Sequence, residues 1–404
     1  MKYSQLERMQ VKALREALKH AYEEVRFYHD LFEAARIKPD DIKGVEDLRK
    51  IPIIDKSVIV RHRPSAVVAR DVDYSKCRKY VTSGSTGVPI TVLCNEKTEE
   101  FRAAVFARPF LECGLRITDK MVRITDSEHW YRNWYERLGI MRKICISPDK
   151  TIEENLTKVQ EFSPDAIFGH SSYIFLLAKA VLEENRAITP RLVFGTADLL
   201  TLKIRNFVNS AFNVEMFDFY GSAEVERMAW ECSEHVGYHI DMENIVLELV
   251  DDNGENVSSG ERGNVVVTSL HNYAMPFIRY NMGDSAMLAD EKCPCGRGLP
   301  LLKSLDGRTN DFFRLPSGEL LPPTAFLATL DYIPGVFQFR VVQESPKRVL
   351  VELVKGDSFS NETIERFRNE TVKIVGDFAE VEVSVVKEIP RERSGKTKVI
   401  TSKI

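Results

Sequence analysis

No apolar run in this sequence reaches the roughly 18 residues that cross a bilayer as a helix, so no membrane span is expected. Cysteine is sparse. Seven cysteines in 404 residues cannot build the dense disulfide framework of a small secreted scaffold. Cys77, Cys94, Cys113 and Cys145 are scattered and read as buried or inert. An excess of positive charge is also missing. The formal net charge of −4 offers no global field to recruit nucleic acid. The opening stretch MKYSQLERMQVKALREALKH is charged and helix-like. It lacks the apolar core of a signal peptide, so a cytoplasmic location is the expectation. Neither internal repeats nor low-complexity tracts occur. What remains, 44% hydrophobic and 29% charged, is the balance of a soluble globular chain, long enough for two or three domains.

The pattern along the chain divides it. Residues 4–36 read as helix, with Leu14, Leu18, Ala21 and Val25 at helical spacing. DLRKIPIIDKSVI follows as a Pro-interrupted connector. From about residue 80 strands and helices alternate: KMVRITDS, IEENLTKVQEF, DAIFGH, SYIFLLAKAVLEEN, RLVFGTA, LTLKIRNFVNSAF and VEMFDFYG. Such alternation predicts a parallel sheet covered by helices. After residue 245 the texture becomes hairpin-like, with Asn-Gly and Ser-Gly turns in NIVLELVDDNGENVSSGERGNVVVTSL. Residues 312–404 read as a small α+β unit. The fold class expected is α/β: a large N-terminal domain over 1–306 with parallel sheets, helices and a β-rich subdomain, then a hinge at 307–311 and a small C-terminal domain over 312–404.

Four constellations carry chemistry. Thr82 to Gly87, in YVTSGSTGVPITV, are all Ser, Thr or Gly between strand-forming runs. Such a loop exposes backbone N–H groups and hydroxyls that surround phosphate oxygens without interference from side chains. The Gly-Lys-Ser/Thr of a Walker loop is absent. DFYGSAEVE puts Tyr220, Gly221, Ser222 and Glu224 at the end of a strand, where open α/β sheets bind ligands. An aromatic ring there stacks on a base; a carboxylate holds Mg²⁺ among phosphates. MPFIRYNMGD ends in Asp284, placed to accept from vicinal ribose hydroxyls, and DGRTND supplies Arg308. RSGK presents Lys396 near the chain end, a cation for charge developing on phosphate. Taken singly, each also fits an ordinary turn or a solvated charge.

In this order TSGSTGVP, YGSAE, IRYNMGD, GRTND and RSGK resemble the adenylate-forming superfamily, and the CPCGRG insert and the MPFIRYNMGD form are similar to the phenylacetate–CoA ligase-like subgroup. The resemblance implies an ATP-dependent, AMP-forming acid ligase. It forms an acyl-adenylate and passes the acyl group to a thiol, with coenzyme A the leading acceptor. Thr82, Ser83, Gly84, Ser85, Thr86 and Gly87 would wrap the β- and γ-phosphates, Tyr220 would stack on adenine beside Gly221 and Ser222, and Glu224 would hold Mg²⁺. Asp284 would bind ribose with Arg308 nearby. Lys396 would bridge the α-phosphate and the attacking carboxylate. The C-terminal domain would rotate as a mobile lid about Asn310. Three positions depart from the commoner pattern: Val88 for a lysine, Ala223 for a hydroxyl residue and Asn310 for a hinge aspartate. Transfer to an amine, adenylylation of a cofactor, and a catalytically inactive nucleotide-binding scaffold are the competing readings. Homodimers are common among such relatives.

Cys232, His235, His239, Cys293 and Cys295 contain a set suited to a closed, tetrahedral zinc site. The resemblance favours Cys232, His239, Cys293 and Cys295, with His235 as the other candidate. DSEHWYRNWYERLG and GHSSYIF are candidate edges of an acyl pocket, although Trp and Tyr at such spacing are more often packing residues. No position identifies the acid.

Overall fold

A computed structural model describes residues 1–82, 89–125, 134–376, 379–390 and 397–404. It divides into two compact units, Met1–Gly114 with Phe219–Leu305, and Leu115–Asp218 with Asp306–Ile404. Among the described residues no helix is long and apolar enough to cross a membrane.

The first unit opens with the helix Tyr3–Glu24, which buries Leu6, Leu14, Ala17, Leu18 and Ala21 along one stripe. The single helix expected over 4–36 is in fact two. Val25 adopts extended backbone at φ −112°, ψ 109°, and Arg26–Ala35 begins anew. A β-branched residue tolerates that conformation better than the helical one. Phe27, Tyr28 and Phe32 of the second helix join the same core as Leu14 and Leu18. Strands Arg78–Val81 and Thr91–Cys94 form an antiparallel hairpin with Tyr80 opposite Val92. At its tip, Thr82 N–H donates to the Ile90 carbonyl at 3.0 Å, and Ile90 N–H donates to Thr82 Oγ1 at 2.9 Å. The hairpin thus closes on itself at the two residues that flank the glycine-rich segment. The helix Glu96–Glu112 follows, capped where Thr98 N–H donates to the Asn95 side chain. The remaining strands lie side by side in the order Ile245–Val250, Arg262–Ser269, Tyr280–Leu288, Leu301–Arg308, Tyr238–Ile240, Glu226–Glu231 and Met216–Ser222. The hairpin texture after residue 245 is realised as Ile245 paired with Ser269 and Val250 with Asn264, antiparallel.

In the second unit the strands Leu192–Thr196, Ala166–His170, Met121–Ile124 and Lys143–Ile146 are neighbours in that order, and their pairings are parallel. Helices Ile152–Phe162, Ser171–Glu183 and Leu202–Phe212 bury Leu156, Val159, Ile174, Phe175, Val208 and Phe212 in a core with Val122, Ile167 and Val193. Two of these helices, Ile152–Phe162 and Leu202–Phe212, start and end near their sequence-based bounds because their caps are local: Thr151 and Thr201 accept from the third N–H of their helices, and Ser163 and Asn213 end them in the left-handed conformation. The C-terminal segment of this unit is a sheet ordered Glu380–Val386, Arg348–Lys355, Val336–Ser345, Ile400–Ser402. The helix Asn361–Val375 packs Phe367 and Val375 against Phe339, Val351 and Leu353. Phe337 stacks on Phe175 with ring centroids 4.7 Å apart, and Lys203 N–H donates to Asp331 Oδ2 at 2.8 Å.

Candidate functional site

The strand Met216–Ser222 ends in a turn that only particular residues permit. A Cβ on Gly221 would stand 2.5 Å from the Glu226 carbonyl oxygen, closer than atoms approach, so the position requires glycine. The pairing shifts register between Tyr220 and Gly221, a bulge that re-aims the strand end. Ser222 Oγ accepts from Val225 N–H at 3.4 Å. From the far side Asn244 Nδ2 donates to the carbonyls of Val225 and Arg227 at 2.8 and 2.7 Å. Glu224 sits in this pinned turn, 8% exposed. Its carboxylate makes no hydrogen bond or ion pair among the described residues. A largely buried carboxylate with no protein partner is suited to take a cation, because a bare charge there has few groups to neutralise it.

Tyr220 is brought to Asp284. The tyrosine hydroxyl donates to Asp284 Oδ2 at 2.7 Å. Asp284 lies on Tyr280–Leu288, after Gly283 at φ +70°, whose N–H donates to Asn281 Oδ1 at 2.8 Å. Two motifs distant in sequence therefore share one polar contact.

Arg308 ends the strand Leu301–Arg308, and Thr309–Asp311 forms one 3₁₀ turn that contains Asn310. Asp311 is buried and accepts from Lys398 Nζ at 2.8 Å and Thr401 Oγ1 at 3.3 Å. Of the glycine loop, Thr82 is described and forms the base already noted. Ser83, Gly84, Ser85, Thr86, Gly87 and Val88 lie outside the described residues, as does Lys396. So does most of the aromatic stretch, 126–133.

The cysteine and histidine set converges. Ligand atoms of Cys232, His239, Cys293 and Cys295 all lie within 4.8 Å of one another. Register explains this. Trp230 pairs with His239 and Glu231 with Tyr238, so Cys232 leaves its strand beside His239. Leu301 also pairs with His239, which brings in the segment before it. There a turn donates Gly296 N–H to the Cys293 carbonyl. The Cys232 and Cys293 sulfurs are 3.6 Å apart, far beyond the roughly 2.05 Å of a disulfide. Cys295 Sγ is 3.3 Å from His239 Nε2. A tetrahedral ion with bonds of about 2.3 Å to sulfur and about 2.0 Å to nitrogen spaces its ligands by roughly 3.5–3.8 Å. The two separations given are close to the edges of such a tetrahedron, and the full set fits within 4.8 Å. His235 is directed elsewhere, with Nδ1 3.3 Å from Glu231 Oε2.

Three buried arginines, Arg102, Arg227 and Arg279, escaped the sequence reading. Arg279, inside the IRYNMGD motif, pairs with Glu248 through Nε and Nη2 at 3.1 and 3.0 Å. It also donates to the carbonyls of Ile51 and Gly254 at 2.8 and 3.1 Å. A charged residue inside the apolar PFIRY run was the available signal. Arg102 had none; it sits mid-helix in a charged stretch.

Comparison with known proteins gives these contacts a family. Residues 316–403 match the CapK C-terminal domain. The phenylacetate–coenzyme A ligase of Thermus thermophilus is 30% identical over 82% of this chain and 76% of its own. That of Aromatoleum evansii is 29% identical over 79% and 74%. Among solved structures, a 2-hydroxyisobutyryl-CoA ligase in the postadenylation state, in complex with R3-HIB-AMP, superposes with a TM-score of 0.83. That match has 21% identity and covers 97% of this chain and 88% of that one, and so speaks to the fold. By its kinship with the Thermus protein, supported by its fold, the chain belongs to the phenylacetate–coenzyme A ligase family of AMP-forming acid ligases.

Proposed function

We propose that this protein activates a carboxylic acid with ATP and transfers the acyl group to coenzyme A. A carboxylate oxygen attacks the α-phosphorus of ATP, and the bond from that phosphorus to the bridging oxygen of pyrophosphate breaks. Acyl-adenylate and pyrophosphate result. The thiolate of coenzyme A then attacks the acyl carbon, and AMP leaves with the carbon–oxygen bond pair. Splitting the reaction converts a poor leaving group, oxide, into a good one, AMP.

The roles assigned to residues follow from position and chemistry. Tyr220 lies against adenine, and Asp284 accepts from the ribose hydroxyls with Arg308 as a further cation. Thr82 to Gly87 hold the β- and γ-phosphates, with Gly221 and Ser222 bordering the α-phosphate. Glu224 holds Mg²⁺, which neutralises phosphate charge when bound. Lys396 offsets charge on the α-phosphate during attack. Residues 307–311 serve as the hinge for the 312–404 lid, whose closure keeps water from the adenylate. Cys232, His239, Cys293 and Cys295 hold a structural zinc. Four protein ligands leave no open position, which separates that ion from the chemistry.

The observation that carries the nucleotide assignment is the Tyr220–Asp284 hydrogen bond of 2.7 Å, since a base-stacking ring and a ribose-binding carboxylate must be neighbours. The test is incubation with ATP, Mg²⁺, coenzyme A and a panel of aromatic and aliphatic carboxylic acids, with products identified by mass spectrometry. Acyl-CoA and AMP are expected for at least one acid. An amide with an added amine, or an adenylylated cofactor, in place of a thioester would replace the acceptor. ATP binding without any acid-dependent AMP would identify an inactive scaffold.

A further inference from the structure

Between the hairpin that carries the glycine-rich segment and the turn that carries Glu224 lies a buried cation. Arg102, on Glu96–Glu112, is 8% exposed. Its Nη2 is 2.5 Å from Glu226 Oε2, and its Nη1 donates to the Ala223 carbonyl at 3.4 Å. Its guanidinium carbon stands 4.4 Å from the centre of the Tyr80 ring. One turn earlier on the same helix, Glu99 accepts from the Tyr80 hydroxyl at 2.8 Å and pairs with Arg78 at 3.3 Å.

The endpoints of these contacts are informative. Ala223 and Glu226 bracket Glu224, one residue before it and two after. Tyr80 and Arg78 are on the strand that leads into Thr82 and the loop. Glu226 itself has φ +66°, a conformation that a residue with a side chain holds only where its surroundings fix it. Burial alone would favour losing the charge of Arg102. The Glu226 carboxylate, with smaller help from Cys94, Tyr80 and Glu99, holds its pKa above the usual arginine range instead. Only a planar fork meets this geometry: one amino group on a carboxylate, another on a carbonyl, and a face on an aromatic ring. A lysine ammonium is a single point of charge and does not span all three at once.

We propose that Arg102 is a positioning residue that locks the strand Arg78–Val81, which leads into Thr82, to the Glu224 turn, so that the start of the phosphate-binding segment and the group holding Mg²⁺ keep one register. The proposal rests on the nucleotide reading given above for that loop and for Glu224. It requires a selective phenotype. MgATP needs both the loop and the metal carboxylate, whereas AMP needs neither.

The test is calorimetric titration of the full chain with ATP over a range of Mg²⁺ concentrations, and separately with AMP, for wild type, Arg102→Lys and Tyr80→Phe. Arg102→Lys is expected to weaken MgATP binding about tenfold, the loss of about one charge-assisted hydrogen bond. It should raise the Mg²⁺ concentration required and leave AMP binding within about twofold of wild type. Tyr80→Phe, which keeps the ring and loses the Glu99 contact, should shift MgATP in the same direction by less. Added guanidinium should restore MgATP binding to Arg102→Ala if that variant folds. Equal losses for ATP and AMP would reduce Arg102 to a general structural residue and overturn the proposal, as would unchanged MgATP binding in Arg102→Lys. If wild type binds AMP and ATP equally with no effect of Mg²⁺, the nucleotide reading itself fails and the proposal falls with it.

Discussion

Tyr220 and Asp284 are 64 positions apart in sequence, yet the tyrosine hydroxyl donates to the aspartate Oδ2 at 2.7 Å. The bond fixes the ring and the carboxylate relative to each other before any ligand arrives, which lowers the ordering cost of binding. Removing the hydroxyl while keeping the ring isolates this effect. Tyr220→Phe should raise the KM for ATP about tenfold, the value of about one hydrogen bond to a charged group, and change kcat little. Steady-state kinetics at saturating acid and coenzyme A would check this. An unaltered KM would mean that the bond does not prepare the site.

The Arg279–Glu248 pair is a deeply buried charge interaction in the first unit, with both side chains 3% exposed. Burial pushes the Glu248 carboxyl up, and Arg279 opposes that. Taking away one partner strands the other. Arg279→Met should therefore destabilise the protein by about 3–5 kcal/mol, and Arg279→Met combined with Glu248→Leu should recover most of the loss. Urea denaturation of the three proteins measures it. A single substitution that costs under about 1 kcal/mol would contradict the burial argument.

His271 gives a pH dependence of defined sign. Burial lowers its pKa from 6.5 to about 4; Glu16 opposes the shift and Lys97 adds to it. Its ring stacks on Phe101 at 3.5 Å between centroids, and Nε2 donates to the Glu243 carbonyl at 2.9 Å. The folded pKa lies below the unfolded one, so the unfolded chain binds the extra proton between them. Stability contributed by the neutral ring is present above 6.5 and falls as pH drops toward about 4. His271→Gln keeps a donor and cannot titrate. It should flatten the dependence of the unfolding midpoint on pH across that window. The same slope in both proteins would show that the histidine is not the titrating group.

Zinc occupancy is a separate matter from turnover. Protein purified without added zinc should contain about one zinc per chain, and Cys293→Ser should lose most of it. A strong chelator should lower the thermal midpoint of wild type and leave that of Cys293→Ser nearly unchanged. Metal content near zero in folded wild type would remove the ion from the account.

Much of this was legible in the sequence because the signals were local. IEENLTKVQEF is a helix over Ile152–Phe162, since its apolar spacing and the Thr151 cap both lie within a few residues. DAIFGH and RLVFGTA are neighbouring parallel strands for similar reasons. The convergence of Cys232 and His239 with Cys293 and Cys295 was suggested by residue type and by resemblance, while the register that produces it was not visible. The buried ions were harder still. Arg102 reaches Ala223 across 121 positions, and Arg279 reaches Glu248 across 31. No periodicity encodes such a pairing. The break at Val25 was missed because apolar spacing continues smoothly through it.

The central claim is that the acid attacks the α-phosphorus of ATP. Carboxylate labelled with ¹⁸O, supplied with ATP, Mg²⁺ and coenzyme A, tests this directly by mass spectrometry of the nucleotide product. Attack at the α-phosphorus places one labelled oxygen in AMP for each thioester formed, and that is the result expected here. Label appearing in inorganic phosphate with ADP as the nucleotide product, or thioester formed with unlabelled AMP, would contradict it.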